Sequence, residues 1–238
     1  MSLKELSSKQ AVSIITCTKR RYCMDNLINN FLRQRYKHKE LIIILNHHHL
    51  KIEEYKAAVK QYRNIKIYSQ PEQVSLGHCL NYGVQMAKHP YIAKFDDDDY
   101  YAPSYLADSM RTLQKSQADI VGKRAHFMYL SSRKLVLHRY HKLTECYVSQ
   151  VQGATLLVKR EVFDTVSFPD QTQGECVKFC ALCRKKGFKI YSGNPYHFFA
   201  VRRKGSKDHT WIVSDQELMS RGDRILKLDH IKKFVSRR

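Results

Sequence analysis

A chain of 238 residues, 43% of them hydrophobic, can bury one substantial core and suits one large domain or a domain with a tail. Forty-two Lys and Arg against 22 Asp and Glu give a formal charge of +20, a field that favours nucleotides, nucleic acid, phosphate-rich polymers or an acidic surface without choosing among them. Seven cysteines, an odd number without framework spacing, argue against a disulfide scaffold; no stretch nears the roughly 20 apolar residues of a membrane span, and MSLKELSSKQ lacks the apolar core of a secretory signal, so the expected location is cytoplasmic.

Residues 11–16, AVSIIT, and 40–45, ELIIIL, are β-branched or aliphatic runs that read as buried parallel strands, and MDNLINNFLRQ between them has helical apolar spacing. A helix near 52–62, a strand NIKIYS, a helix near 76–88 and a strand YIAKF follow. Such alternation predicts an α/β domain with a mainly parallel sheet, in which ligands sit beyond the carboxyl ends of the strands. Pro103 suits a helix start, and Leu106, Met110 and Leu113 give that helix a buried stripe. DIVGKRAHFMYL, KLVLHRY and ATLLVK read as partly antiparallel strands; helical segments near 159–165 and 174–186 and strands FKIYS and HFFAVRR come after them. No Gly/Ser-rich linker divides the chain, so residues 1–213 are expected to form one domain. Residues 214–238 read as a basic amphipathic helix with Leu228, Ile231 and Val235 on one face, docked on that domain or extending to an anionic membrane surface or a partner.

The strand YIAKF ends in FDDDDYY. A charge run is ordinarily a solvated face, but four carboxylates at the end of a buried strand are costly unless a cation neutralises them. Mg²⁺ typically binds through one or two carboxylates plus substrate phosphates, so an Asp pair in an otherwise basic site describes a metal–nucleotide pocket.

With these residues the sequence resembles the family 2 glycosyltransferases of GT-A fold, through VSIITCTKR, KELIIILN, SLGHCLNYG and, most closely, YIAKFDDDDYYAPSYL. The resemblance implies a three-layer α/β/α sandwich and metal-dependent transfer, with inversion, of a sugar from a nucleotide-diphosphate sugar to a glycan or other hydroxyl acceptor. It makes Asp96 and Asp98 the paired aspartates, Asp98 as the direct ligand of Mn²⁺ or Mg²⁺ and Asp96 facing ribose or metal, with Asp97 and Asp99 as helpers or spectators. Thr18 and Arg20 fall in the turn after the first strand, Asn46 at the base-contacting position, and His209 where a C-terminal histidine completes the metal site. Arg202, Arg203 and Lys204 join Arg20 as basic groups for the departing diphosphate. Members of this type imply a role in bacterial cell-surface or spore-coat polysaccharide assembly; oligomeric state is left open, and no nucleic acid partner is expected.

Two departures matter. Asn46, followed by His47, His48 and His49, stands where the family offers aspartates; three consecutive loop histidines rarely converge on one ion, so a solvated turn is expected. Cys176 stands where the catalytic aspartate is expected, after Glu175, and a thiol with a reference pKa near 8.5 is a poor carboxylate substitute. Glu175 or Asp170 then serves as base, or the acceptor needs little help, or the protein binds a nucleotide sugar without transferring it. Cys176, Cys180 and Cys183 also match a radical-SAM spacing, yet ECVKFCALCRKKGFKI reads as a helix ended by Gly187 with the thiols near one face. A nucleic-acid or anionic-polymer binder would explain the charge but not the aspartates, and a nucleotidyltransferase lacks its Gly-rich phosphate loop.

Overall fold

The structure, a computed structural model, describes residues 10–203, 213–220 and 222–236. In chain order its principal elements are β1 (Val12–Thr18), α1 (Met24–Leu32), β2 (Lys39–Leu45), α2 (Ile52–Val59), β3 (Ile65–Ser69), α3 (Leu76–Met86), β4 (Tyr91–Lys94), β5 (Tyr100–Tyr101) and α4 (Tyr105–Ser116). There follow β6 (Ile120–Gly122), β7 (His126–Leu130), β8 (Leu135–Arg139), β9 (Cys146–Tyr147), β10 (Leu157–Lys159), α5 (Glu175–Lys185), β11 (Ile190–Ser192) and β12 (Phe198–Arg202). Last come α6 (Asp215–Met219), β13 (Arg224–Leu226) and α7 (Ile231–Val235).

The main sheet runs β3-β2-β1-β4-β10-β6-β11-β9. Its first four strands are mutually parallel, and β10 joins antiparallel between β4 and β6. The aliphatic run of β2 shows why the sheet is the middle layer: Leu41, Ile43 and Leu45 enter one core, Ile42 and Ile44 the other. The first core takes Leu27, Ile28 and Phe31 of α1, Tyr55 of α2 and Leu106, Met110 and Leu113 of α4; the second takes Cys79, Leu80 and Val84 of α3 and Phe179, Cys180 and Cys183 of α5. This is the expected three-layer α/β/α sandwich. Helix α3 lies so close to β1 that a Cβ on Gly83 would stand 2.6 Å from Ile15 Cγ2. The cysteines of α5 are buried as small apolar residues on one helical face, as their spacing predicted.

A second sheet, β13-β8-β7-β12-β5, grows from the end of the aspartate run, since β5 follows Asp99 directly and pairs antiparallel with β12. The C-terminal segment corrects the expectation of one amphipathic helix. Gly222, at φ +75°, interrupts it; β13 then pairs with β8 and becomes the edge of that sheet, and only short helices flank the break. Asp223 accepts from Arg139 Nε at 2.8 Å, and both side chains are buried. Val235 is buried against Phe127, Val136 and Phe199, while His197 N–H donates to its carbonyl at 2.8 Å. The apolar face read from the sequence therefore docks on the second sheet. Among the described residues no helix is long and apolar enough to cross a membrane.

Candidate active site

The register of β1 sets Thr18 opposite Leu45 of β2 and Ile15 opposite Lys94 of β4, so the carboxyl ends of three parallel strands point the same way, with β4 ending three residues short of β1. There they border a cavity of about 300 Å³, lined by Cys17, Thr18, Lys19, Arg20, Asn46, His47, Glu72, Lys94, Asp96, Asp97 and Thr172 among others. This is where a parallel α/β sheet offers a ligand site.

The aspartate run is held by groups distant in sequence. Asn26 Nδ2 of α1 donates to the carbonyls of Asp97 at 2.8 Å and Asp99 at 3.0 Å. One turn on, the buried Asn30 donates to Asp99 O at 2.8 Å and accepts from Tyr101 N at 3.2 Å. The Tyr101 hydroxyl accepts from Asp96 N–H and donates to Ala154 O, both at 2.7 Å, and its ring stacks on Phe95 at 3.8 Å between centroids. The backbone bearing the four carboxylates is thus fixed from both ends, as a preorganised site requires.

The four carboxylates differ in what they touch. Asp96 pairs with Lys94, and its side chain keeps 36% exposure toward the cavity. Asp97 is buried; it accepts from Thr18 Oγ1 at 2.5 Å and from the Nε and a terminal nitrogen of Arg20. Asp98 Oδ2 lies 2.9 Å from Arg20 Nη1 and 3.0 Å from Arg203 Nη2. Asp99 is buried and accepts from Val201 N–H of β12 at 2.9 Å, tying the motif to the second sheet.

Charge follows this geometry. Burial opposes ionisation of Arg20, but Asp97 and Asp98 outweigh it and hold the guanidinium pKa above its ordinary value. Burial likewise works against the Lys94 ammonium, and Asp96, helped by Cys176 and Glu175, raises its pKa well above the usual value. Burial pushes the Asp97 carboxyl up against the pull of Arg20, and pushes Asp99 well up with the charges of Asp98 and Asp96 adding to it.

Thr18, Arg20, Asn46 and Asp96 share the cavity, and Arg203 and Asp98 adjoin them through Arg20. Asn46 Nδ2 donates to Pro71 O at 2.6 Å. Arg202, next to Arg203, faces the other way: it is buried and donates to Val213 O at 2.9 Å, because successive strand residues alternate faces. It is therefore not placed at the cavity. Lys204 and His209 lie outside the described residues. Of the base candidates, Glu175 and Cys176 are buried in the first turn of α5, where the Cys176 thiol donates to Glu175 Oε1 at 3.1 Å. Burial pushes the thiol pKa well up against the opposing charge of Lys94, so Cys176 stays protonated at neutral pH. Asp170 accepts from Ser75, the N-cap of α3, and does not line the cavity.

Sequence reasoning missed Lys94, a lysine at the end of an otherwise apolar strand, and the Asn26/Asn30 pair, whose i, i+4 spacing in α1 puts both amides on one face. It also set Asp97 aside, although Asp97 lines the cavity.

A three-layer sandwich with an acidic turn at its strand ends and a small second sheet beside it defines the GT-A class of nucleotide-sugar transferase folds. The chain belongs to glycosyl transferase family 2, whose family model matches residues 13–210. Among solved structures, it is similar to S. aureus TarS 1-349 in complex with UDP-GlcNAc (TM-score 0.65, 15% identity, covering 86% of this chain and 62% of that one). TarS 1-349 by itself gives a TM-score of 0.63 at 15% identity over 80% and 60% of the two chains. The mannosyltransferase PcManGT from Pyrobaculum calidifontis in complex with GDP-Man and Mn²⁺ gives 0.60 at 14% identity over 83% and 57%. At such identities the likeness is one of fold, and the chain spans about three-fifths of the length of these relatives. No curated protein matches it in sequence.

Proposed function

We propose that the chain transfers a sugar from a nucleoside-diphosphate sugar to a hydroxyl acceptor, with inversion, and that the cavity at the ends of β1, β2 and β4 is the donor site. The observation that carries this is the joining of Arg20 to Asp97 and Asp98 beside Thr18, Asn46 and Asp96. It sets cationic and anionic groups together where a diphosphate and its counter-ion would both find partners.

The donor set suits a hard divalent cation, since it consists of carboxylate oxygens at a fixed turn, one of them 36% exposed. Asp96 and Asp98 would hold Mn²⁺ or Mg²⁺, with His209 as the further expected ligand. When bound, such an ion neutralises charge on the departing diphosphate. The chain's own residues do the rest. Arg20 and Arg203, both now on Asp98 Oδ2, supply two guanidiniums for phosphate oxygens, and Asn46 offers an amide to the base edge. Glu175 is the favoured proton acceptor, because its carboxylate already accepts a hydrogen bond and lies close enough to Lys94 to interact with its charge. UDP-GlcNAc and GDP-Man in the neighbours motivate uridine and guanosine diphosphates as first probes. A cytoplasmic place in bacterial cell-surface or spore-coat polysaccharide assembly accords with this chemistry. Calorimetry with UDP and GDP, with and without Mn²⁺, followed by donor hydrolysis, tests the proposal; absence of nucleotide binding under every condition would refute it.

A second reading, that the chain binds a nucleotide sugar without transferring it, is favoured by one observation: the residue at the family's base position is a buried, protonated thiol. On that reading Cys176→Asp gains transfer activity over a silent wild type. Robust wild-type turnover would exclude it.

A further inference from the structure

The histidine triplet does not lie along an extended loop. Leu50 N–H donates to His47 O at 3.0 Å, closing a turn that gathers the rings: His47 stacks on His48 and on His49 at 4.6 and 5.0 Å between centroids, and His48 and His49 lie 3.8 Å apart with their planes tilted by 50°. One ligand atom from each ring falls within 4.8 Å of the others. Glu72, from the loop after β3, meets the turn from outside: its Oε2 pairs with His48 Nδ1, lies 3.8 Å from His47 Nδ1, and accepts from His48 N–H at 3.3 Å. The carboxylate on His48 Nδ1 fixes that ring's tautomer and leaves its Nε2 as a lone-pair donor, which is how ligating histidines are ordinarily oriented, while His47 Nδ1 accepts from His49 N–H at 3.2 Å. Three imidazoles suit a borderline ion such as Zn²⁺ or Ni²⁺, whereas carboxylates alone suit Mg²⁺ or Mn²⁺.

We propose that His47, His48 and His49, oriented by Glu72, bind one transition-metal ion of the Zn²⁺ or Ni²⁺ type at a site distinct from the aspartate run. The expectation of a solvated turn overlooked two things: a closed turn converges what an extended loop would splay, and the fourth group comes from 24 residues away. The site sits at the rim of the donor cavity, which His47 and Glu72 also line, but it does not depend on that cavity's proposed use.

The test is calorimetric titration of the tag-free protein with ZnCl₂, beside His48→Ala/His49→Ala, Glu72→Gln and Asp98→Ala. The histidines concerned are largely exposed, so the double variant is expected to fold as the wild type does, with circular dichroism as the check. One Zn²⁺ per chain is expected in the wild type, with binding weakened at least a hundredfold in the double variant, about 10- to 100-fold in Glu72→Gln, and unchanged in Asp98→Ala. Equal affinity in the double variant and the wild type would overturn the proposal, as would loss of Zn²⁺ binding in Asp98→Ala. Mn²⁺-dependent nucleotide binding is read separately, so failure of this site and failure of the donor site are distinguishable.

Discussion

Replacing Asp97 by alanine should damage the fold, whereas replacing Asp98 should chiefly damage ligand binding. The Asp97 side chain is 3% exposed and holds Thr18 and two nitrogens of Arg20, itself 17% exposed. Removing one partner of a buried ion pair costs about 3–5 kcal/mol, because the other charge is left behind. Arg20 keeps Asp98 Oδ2 at 2.9 Å, which places Asp97→Ala near the lower end, about 3 kcal/mol. For a domain of this size that corresponds to a fall of roughly 6–12 °C in Tm. Asp98→Ala leaves the Asp97–Arg20 pair intact and removes one of several adjacent negative charges; its other partner, Arg203, is 32% exposed and can turn to water. Its loss should be the smaller of the two, because Arg20 keeps Asp97 and neither arginine is left buried without a carboxylate or water. Thermal and urea denaturation of both variants read this difference. An Asp97→Ala protein melting within 2 °C of wild type, or an Asp98→Ala protein less stable than Asp97→Ala, would refute the assignment of Asp97 to the scaffold.

Other consequences can be measured. Burial, only partly offset by the bond from Nδ1–H to Arg124 O, lowers the His126 pKa from 6.5 to about 3. The neutral ring's stability is complete above the unfolded value and is lost as pH falls through 6.5 toward 3, about 2 kcal/mol of it by pH 5. Because Asp97 and Asp99 shift upward and gain stability on acidification, the readout is the difference between wild type and His126→Phe, which should change by that amount between pH 7.5 and pH 5; a pH-independent difference would contradict it. Gly83→Ala, ordinarily helpful inside a helix, should instead destabilise by about 1–3 kcal/mol, since the added methyl meets Ile15 Cγ2 at 2.6 Å. A raised urea midpoint would show that α3 can move off the sheet.

The first half of the chain was legible because its periodicities are unambiguous: β2 carries the unbroken apolar run Leu41–Leu45, as a strand buried on both faces does, and α4 repeats its stripe at helical spacing. The C-terminal segment was not, because Leu228, Ile231 and Val235 satisfy a helical stripe while the edge of β8, which captures Arg224–Leu226, is a tertiary feature that no local pattern announces. At the site, Thr18, Arg20, Asn46 and Asp96, taken from the family resemblance, lie together along one cavity. Four identical residues carry no phase of their own, however: only the family resemblance set Asp96 and Asp98 apart, and no local pattern could show that Asp97 and Asp99 are buried. Arg202 and Arg203 posed the same difficulty: on a strand, neighbours face opposite ways, and only the pairing of β12 with β7 and β5 decides which one reaches Asp98.

The most direct measurement is calorimetric titration of the protein with UDP and GDP in Mn²⁺, repeated in EDTA and with Asp96→Ala and Asp98→Ala. Binding of one nucleoside diphosphate, dependent on Mn²⁺ and lost in both variants, is the predicted result. Binding that survives EDTA and both substitutions would contradict the proposal that the acidic turn and its arginines hold the donor together.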